Sequence, residues 1–246
     1  LVVGKINDII LKNENLYKCS INLPISLSNS FIDNYVNFIF NIKKYLKFKN
    51  CQINILNIDD LTILDNFVIK NDVNYIHVDL DYNKLKFNLG FTRNLYKFLN
   101  LSNLVFFTDI DIFTNETILN NMISKISKYD IICPYVDKIY NLNYNQKYDY
   151  INNKKINEKH ISRKKAYTIS GGNTLFKKHV LESTGGYLEN NSYGGEDRFF
   201  DVILFYKKFK IFKFDYKFYH LWHPINRSNI NHKKIENFNK KFFNCF

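Results

Sequence analysis

Two aspartates one residue apart, Asp109 and Asp111, lie in the otherwise apolar run LVFFTDIDIF at residues 104–113. Carboxylates this close repel each other unless a cation lies between or beside them. A divalent metal would meet that requirement, and oxygen ligands suit Mg²⁺ or Mn²⁺, which would in turn hold a diphosphate. The same motif is equally typical of a turn or a helix N-cap leading to Asn115 and Glu116, so on its own it leaves both interpretations open.

A second group of candidate residues lies in the glycine-rich stretch 170–206. It contains three glycine pairs, and the last pair runs directly into Glu196 and Asp197. Gly194 and Gly195 would let the backbone turn sharply and approach a ligand closely, with the acidic pair on the first turn of the following helix. An ordinary acidic helix N-terminus would account for the two carboxylates, but it leaves the glycines before them unexplained.

The third group is the stretch YHLWHPI at residues 219–225. His220 and His223 lie three residues apart, with Trp222 between them and Pro224 directly after. A single histidine is more often structural than a metal ligand, whereas a pair after a strand, in a chain with a D-x-D motif, makes the two interpretations equally strong. One aspartate with one or two imidazoles would favour Mn²⁺ over Mg²⁺.

The elements that must position these residues are predicted from hydrophobic periodicity. Strands are predicted at residues 20–25, 51–58, 74–80, 103–109, 167–178 and 210–216, and helices at 31–46, 91–100, 116–127 and 196–208. This alternation predicts an α/β fold with a parallel sheet covered on both faces. Such sheets bind ligands at the carboxyl ends of their strands, where Asp109 and Asp111 would emerge.

Two segments lack clear periodicity. Residues 137–165 are polar and basic and are predicted to form a loop or flap, because the pattern resumes afterwards without a compositional break. Residues from about 224 onward are predicted to form a polar tail.

Length and composition indicate that the chain can form a large core without a membrane-spanning helix. The chain has 246 residues, of which 46% are hydrophobic, so it can bury a sizeable core. No stretch approaches the ~20 apolar residues of a membrane helix, so no transmembrane segment is expected. The sequence starts at Leu1 without a methionine, which suggests a chain processed or cut from a longer one.

The net charge of +12 would ordinarily suggest an anionic partner. Nearly all of it comes from lysine, however, and bidentate readers of phosphate or guanine favour arginine. No nucleic-acid partner is therefore expected, and the lysines are interpreted as a solvated, anion-attracting surface.

The four cysteines lie far apart without a C-x-x-C pair. Free thiols are expected, which favours a cytoplasmic location, although a lumenal one in the ER or Golgi stays open if an upstream anchor was removed.

The order of the three groups carries a resemblance. FNLGFTRNLYKFLNLSNLVFFTDIDIF, then SGGNTLFKKHVLESTGGYLENNSYGGEDRFF, then HLWH resembles the inverting metal-dependent glycosyltransferases of the GT-A fold. The closest likeness is to the β-1,4-galactosyltransferases and their N-acetylgalactosaminyl- and chondroitin-type relatives, over about residues 20–225.

The resemblance implies a Rossmann-like α/β fold with a mixed, mostly parallel sheet flanked by helices. It also implies one GT-A domain over residues 1–246, with a nucleotide-binding half at about 15–135, an acceptor-binding and catalytic half at about 136–225, and a tail at 226–246. The implied activity is transfer of a hexose or N-acetylhexosamine from a UDP-sugar to a hydroxyl of a glycan or other acceptor. Mn²⁺ or Mg²⁺ would be the cofactor.

Roles carry over residue by residue. Asp111 would bind the metal together with His223 and His220, and Asp109 would lie against the nucleotide sugar. Asp197 would be the catalytic base, with Glu196 holding the acceptor hydroxyls. The other donor contacts implied are Gly171 and Gly172 under the sugar, Ile169 beside its C2 substituent, and Pro24, Ser26 and Asp59 or Asp60 in the nucleotide pocket.

Two departures from the family pattern stand out. The tryptophan usual before GGED is absent, and ENNSYGGED offers Tyr193 instead. The arginine usual in the family's FNR is Leu89 here, although Arg93, one helical turn later, would reach the diphosphate. The alternatives are a retaining transferase or nucleotidyltransferase on a similar sheet, or a non-catalytic glycan- or nucleic-acid-binding protein on a transferase scaffold.

Overall fold

The strands form a central eight-stranded sheet and a smaller three-stranded sheet. The computed structural model describes residues 5–10, 17–25, 31–57, 73–79, 89–99, 102–136, 138–156, 161–165, 168–189 and 195–224. The strands are β1 (Lys5–Ile10), β2 (Cys19–Ile25), β3 (Cys51–Asn57), β4 (Asn74–Asp79), β5 (Leu104–Phe107), β6 (Ile131–Cys133), β7 (Lys138–Asn141), β8 (Ser162–Lys165), β9 (Thr174–Lys177), β10 (Ile211–Lys213) and β11 (Tyr219–His220). The helices are α1 (Phe31–Tyr45), α2 (Leu89–Asn94), α3 (Glu116–Lys125), α4 (Tyr144–Ile151), α5 (Lys178–Thr184) and α6 (Glu196–Tyr206), with 3₁₀ turns at Leu95–Phe98 and Ile126–Lys128.

The order in the large sheet is β1-β4-β3-β2-β5-β9-β6-β10. The neighbours β4, β3, β2 and β5 run parallel, as do β6 and β10. β1 pairs antiparallel with β4, and β9 lies antiparallel between β5 and β6. The predicted mixed, mostly parallel sheet flanked by helices is therefore confirmed.

Two apolar clusters cover the two faces of the sheet, because successive strand side chains point in opposite directions. In β5, Val105 and Phe107 belong to one cluster and Phe106 to the other. The Phe106 cluster contains buried residues of α1 and α3, and the Val105 cluster contains those of α5 and α6. The sheet is thus a middle layer between helices.

The starts of two helices bear on the candidate motifs. The N-cap of α3 is Asn115, whose side chain accepts a hydrogen bond from the backbone N–H of Ile118 at 2.8 Å, so neither aspartate of the D-x-D motif caps this helix. Helix α6 follows Gly195, whose φ of 88° lies in the left-handed region that favours glycine. Glu196 and Asp197 occupy the first turn of α6, as predicted.

The prediction of a loop or flap at residues 137–165 is wrong, because the described part of this segment contains β7, α4 and β8. Helix α4 begins with a capping box, in which Asn143 and Gln146 each accept a hydrogen bond from the other's backbone N–H. β7 pairs antiparallel with β8 and parallel with the distant β11. Distant strand pairing and capping stabilise these elements, so apolar periodicity in the sequence does not indicate them.

Other element predictions need smaller corrections. β1, β6 and α5 were not predicted, and the strand expected at 167–178 is confined to Thr174–Lys177. The residues before it are irregular because Gly172 and Asn173 have positive φ values of 83° and 25°.

In the described part of the chain, no helix has the length and apolar character needed to cross a membrane. Cys19, Cys51 and Cys133 are free thiols, as predicted, and Cys245 lies outside the described residues.

Candidate active site

The D-x-D motif emerges at the carboxyl end of β5, as the sheet topology requires. β5 ends at Phe107, and the backbone N–H of Thr108 still donates to the carbonyl of Asn22 in β2 at 3.1 Å. The chain then turns, with the N–H of Ile112 bonded to the carbonyl of Asp109 at 3.3 Å. Pro24, near the end of the parallel strand β2, lies at the same edge.

Three side chains from two distant segments converge beside this turn. Asp111 Oδ2 lies 3.1 Å from His220 Nε2 and 3.0 Å from His223 Nε2. The ligand atoms of all three residues lie within 4.8 Å of one another. Neighbouring ligands of an octahedral ion bound at ~2.1 Å are about 3.0 Å apart, so one carboxylate oxygen and two imidazole nitrogens fit a divalent cation here.

Backbone hydrogen bonds hold the two segments together. The N–H of Leu221 donates to the carbonyl of Asp111 at 2.7 Å, and Ile112 forms an isolated antiparallel bridge with His220. β11 in turn pairs with β7. Asp111 and the histidines are therefore joined by main-chain contacts as well as by their side chains.

Arg93 links the D-x-D motif to the acidic start of α6. It is 1% exposed, and its Nη2 lies 3.0 Å from Asp109 Oδ1 while its Nη1 lies 3.3 Å from Glu196 Oε1. Its Cζ also lies 5.1 Å from the centre of the Tyr187 ring. The guanidinium is thus held among protein groups, and its predicted contact with a diphosphate stays a prediction.

Gly171 and Gly172 lie against carboxylates from opposite parts of the site. A Cβ added to Gly172 would be 2.8 Å from Asp109 Oδ2, and one added to Gly171 would be 2.8 Å from Asp197 Oδ2. Any other residue would collide with these carboxylates. The glycine pair therefore brings main chain between the D-x-D motif and α6.

Helix α6 anchors the segment before these glycines through Asp201, four residues after Asp197. Asp201 is 7% exposed and accepts hydrogen bonds from the backbone N–H groups of Ile169 and Ser170 at 2.7 and 3.0 Å. Asp197 Oδ2 accepts a bond from Thr168 Oγ1 at 2.9 Å. Neither Asp201 nor Thr168 was predicted as a site residue, although the i, i+4 spacing of Asp197 and Asp201 places these two aspartates on one helix face.

Ionisation of the carboxyl groups reflects burial and their neighbours. Burial opposes ionisation of Asp111, but the charges and hydrogen bonds of His220 and His223 outweigh it and hold its pKa well below the usual range. Burial raises the pKa of Asp109, and Arg93 offsets part of this rise. Burial, with Asp197 adding to the effect and Arg93 opposing it, raises the pKa of Glu196 to about 7.

One predicted site residue is buried in the apolar core, and several others lie outside the described residues. Ile169 is 3% exposed and belongs to the apolar cluster that α5 and α6 cover, so its contact with a donor sugar stays a prediction. Ser26, Asp59, Asp60, Tyr193 and Gly194 lie outside the described residues.

The sequence matches no protein-family model and no curated protein. In structure, the chain is similar to S. aureus TarS 1–349 in complex with UDP-GlcNAc, with a TM-score of 0.62 and 13% identity over 90% of this chain and 65% of the other. It is also similar to the catalytic domain of Drosophila β1,4-galactosyltransferase 7 in complex with xylobiose, with a TM-score of 0.57 and 14% identity over 91% and 79%. A third similar structure is GalNAc-T7 with UDP, GalNAc and Mn²⁺, with a TM-score of 0.58 and 14% identity over 86% and 45%.

These likenesses show the fold, which is the GT-A fold that the motifs imply. The chain spans 60% of another TarS 1–349 structure and 37% of the longer TarS structure.

Proposed function

We propose that this chain is a metal-dependent glycosyltransferase that moves a sugar from a UDP-sugar to an acceptor hydroxyl with inversion at the anomeric carbon. One observation carries the proposal. The glycine pair Gly171–Gly172 separates Asp109, beside the cluster of Asp111 and the two histidines, from Asp197 at the start of α6. A group that stabilises a leaving diphosphate and a group that accepts a proton would thus lie on different sides of one short segment.

The metal ligands in this proposal are Asp111, His220 and His223, as their donor atoms fit a divalent ion. A bound cation would neutralise the charge that develops on the departing diphosphate. Asp109 is paired with Arg93 through Oδ1, and its side chain is 28% exposed, so we propose that it contacts the donor. The glycine pair lets the donor sugar approach the backbone closely because it carries no side chains.

Asp197 is the proposed general base. It is partly exposed, whereas Glu196 is 4% exposed and faces Arg93. The hydroxyl of Thr168 donates to Asp197 Oδ2 and fixes the orientation of the carboxylate. Asp197 would take the proton of the acceptor hydroxyl as that oxygen attacks the sugar carbon from the face opposite the diphosphate.

The structurally similar proteins support the choice of donor, because their structures contain UDP-GlcNAc in one case and UDP with GalNAc and Mn²⁺ in another. The resemblance implies that Ile169 lies beside the C2 substituent of the donor sugar, where it would offer no phenol hydroxyl to compete for a hydrogen bond, so we propose that N-acetylated donors are accepted at least as well as UDP-Gal. Competition between UDP-GlcNAc, UDP-GalNAc and UDP-Gal tests this, and rejection of both N-acetylated sugars would contradict it. Pocket differences of this kind change preference by about 1–3 kcal/mol.

The test of the proposed function is UDP release from UDP-sugars with Mn²⁺ or with EDTA. We expect turnover with Mn²⁺, none in EDTA, and none for Asp111→Ala under either condition. Turnover unaffected by EDTA would contradict the metal role, and complete absence of turnover would favour a binding protein. When an acceptor is found, the anomeric configuration of the product, read by NMR, separates inversion from retention.

Asp197→Asn separates chemistry from binding. The substitution keeps size and hydrogen bonding but removes the basic oxygen, so we expect the turnover rate to fall by a factor on the order of 100 or more, with UDP affinity nearly unchanged. Thr168→Val is the companion variant, since it removes only the orienting hydroxyl and should reduce turnover less. Near-normal turnover of Asp197→Asn would shift the base to Glu196.

A further inference from the structure

One face of helix α1 carries a line of polar side chains that runs alongside the segments that carry the proposed metal ligands. Asp33, Asn37, Asn41 and Tyr45 follow one another at intervals of four residues, so they lie on the same side of the helix. Asn37, Asn41 and Tyr45 are 0% exposed. Each of these side chains is hydrogen-bonded or ion-paired to a segment outside α1.

Asn41 and Tyr45 hold the turn that carries Asp111. The Asn41 side-chain N–H₂ donates to the backbone carbonyl of Ile110, the residue between the two aspartates. A carbonyl oxygen can only accept, so this contact fixes the orientation of the amide. The Tyr45 hydroxyl lies 3.1 Å from Thr108 Oγ1 and accepts from the backbone N–H of Thr114 at 3.2 Å. The helix therefore contacts this turn before, within and after the D-x-D motif.

Asn37 and Asp33 contact the segments around His223. The Asn37 side-chain N–H₂ donates to the carbonyl of Trp222 at 3.5 Å, directly before the histidine. Asp33 Oδ1 accepts from Lys147 Nζ at 2.8 Å, and that ammonium lies 5.9 Å from the centre of the Trp222 ring. The pairing with Asp33 balances a fully buried positive charge that would otherwise oppose a nearby cation.

Stability alone does not explain these side chains. Asn37 Oδ1 and Asn41 Oδ1 are buried and have no hydrogen-bond partner among the described residues. A buried, unpaired amide oxygen costs roughly 1–3 kcal/mol, which offsets the stability that each amide contributes by donating to a main-chain carbonyl. The amides instead place donors on two main-chain carbonyls, each adjacent to a proposed metal ligand.

We propose that α1 is the positioning element of the metal site, in which Asn41 and Asn37 fix the two main-chain segments that carry Asp111 and His223 before the metal binds. This inference rests on the proposed function, because it assumes that those residues bind a cation. Partners that orient metal ligands affect metal affinity by roughly 10- to 100-fold when they are removed. Asn41, which contacts the D-x-D turn directly, should have the larger effect.

The test is titration of the protein with Mn²⁺, in the absence of any UDP-sugar, by isothermal titration calorimetry. Leucine is similar in size to asparagine but has no hydrogen-bond donor, so we expect Asn41→Leu to bind Mn²⁺ at least roughly 10-fold more weakly than the wild type. The matched control is Asn54→Leu. Asn54 is equally buried, and its amide joins Asn22 and Asn74 across the sheet instead of a metal-ligand segment.

The control distinguishes positioning from general destabilisation. Asn54→Leu should lower the melting temperature yet leave the Mn²⁺ dissociation constant within about 2-fold of the wild-type value. Asn41→Leu should also need more Mn²⁺ for half-maximal UDP release, with most of the turnover rate restored at saturating Mn²⁺. A merely structural role would not produce this separation.

The outcomes are distinct. If the wild type binds no Mn²⁺, the metal site of the proposed function is wrong and this inference is wrong with it. If the wild type binds Mn²⁺ and Asn41→Leu binds it equally well, the positioning role alone is wrong. If Asn41→Leu fails to fold, Asn37→Leu decides by the same titration. The hydrogen bond from Asn37 to the Trp222 carbonyl is long, at 3.5 Å, so we expect a smaller but measurable loss of Mn²⁺ affinity.

Discussion

Glu196 is a buried carboxyl group of the candidate site whose pKa lies near neutrality. It lies between the fixed positive charge of Arg93 and the negative charges of Asp197 and Asp109, and burial dominates its pKa of about 7. A carboxyl group that keeps its proton near neutrality can donate a hydrogen bond as well as accept one. This property would suit a group that holds acceptor hydroxyls, which is the role that the resemblance implies for Glu196.

The raised pKa of Glu196 predicts a pH-dependent stability. Between pH about 4.5 and about 7 the folded chain keeps the Glu196 proton while the unfolded chain loses it, so the free energy of unfolding falls as pH rises through this window. Glu196→Gln removes this term. We expect the stability of Glu196→Gln relative to the wild type to increase between pH 4.5 and 7.5 by on the order of 2 kcal/mol.

Urea denaturation at several pH values measures this change. The control is Glu182→Gln. The Glu182 side chain is 59% exposed, so the free energy of unfolding of this variant should follow the pH profile of the wild type. Parallel profiles for Glu196→Gln and the wild type would show that Glu196 ionises normally.

At the scale of elements, α6 carries the proposed catalytic base and a structural anchor on one face. Asp197 faces Gly171, while Asp201 binds the main chain of Ile169 and Ser170 one turn later. Ser170 Oγ also donates to Asp201 Oδ1 at 2.7 Å and thus reinforces the anchor. The position of the glycine pair therefore depends on a helix that follows it by more than twenty residues in the sequence.

We expect Asp201→Ala to destabilise the protein by about 2–4 kcal/mol, because it leaves two buried N–H groups without their acceptor. Loss of the anchor should also reduce the turnover rate with UDP-sugar, since Gly171 and Gly172 would shift relative to Asp197. Urea denaturation and UDP release measure the two effects.

Asp149→Ala is the control for Asp201→Ala. Asp149 forms an exposed ion pair with Lys154 at 3.5 Å, and such pairs contribute about 0–1 kcal/mol. If Asp201→Ala changed stability no more than Asp149→Ala, the main-chain contacts of Asp201 would not anchor the segment.

For the whole molecule, the candidate site is acidic while the chain carries a net charge of +12. Asp109, Glu196 and Asp197 lie around Arg93 and the glycine pair. Asp201 binds the segment before that pair, and Asp111 lies two residues after Asp109. Such a site would repel a diphosphate in the absence of metal, whereas the basic surface would attract the same anion from solution. A cation and a nucleotide should therefore stabilise the protein together more than separately.

Thermal unfolding tests this coupling. We expect Mn²⁺ with UDP to raise the melting temperature by roughly 5–10 °C at about 100 times the dissociation constant, and by more than the sum of the rises with each ligand alone. In EDTA, UDP should give little rise, and Asp111→Ala should respond to UDP equally with and without Mn²⁺. Additive rises in the wild type would contradict coupled binding.

The local sequence determined the strands around the D-x-D motif and the acidic first turn of α6. Strand β5 and helix α1 were predicted within a few residues because side-chain periodicity follows directly from backbone geometry. The residue types of the three groups also fitted metal and base chemistry, but each group taken alone had a structural interpretation as well, and the order of the three groups favoured the chemical one.

The tertiary structure alone decided how these groups meet. Asp111 and His220 are far apart in the sequence, and they converge because β11 pairs with β7 and Leu221 binds the Asp111 carbonyl. Neither pairing leaves a local signal, because β11 has two residues and β7 lies in a segment without apolar periodicity. Arg93 was expected at the diphosphate, yet its partners in the structure are Asp109 and Glu196.

The buried face of α1 shows the same limit. The sequence predicted a helix at residues 31–46 but no role for Asn37 and Asn41, and both are fully buried against the segments that carry the proposed ligands. A polar side chain is buried where a distant main-chain carbonyl needs a donor, and the sequence around it carries no record of that carbonyl. The sequence therefore determined which chemistry the residues can perform, and long-range pairing decided which of them act together.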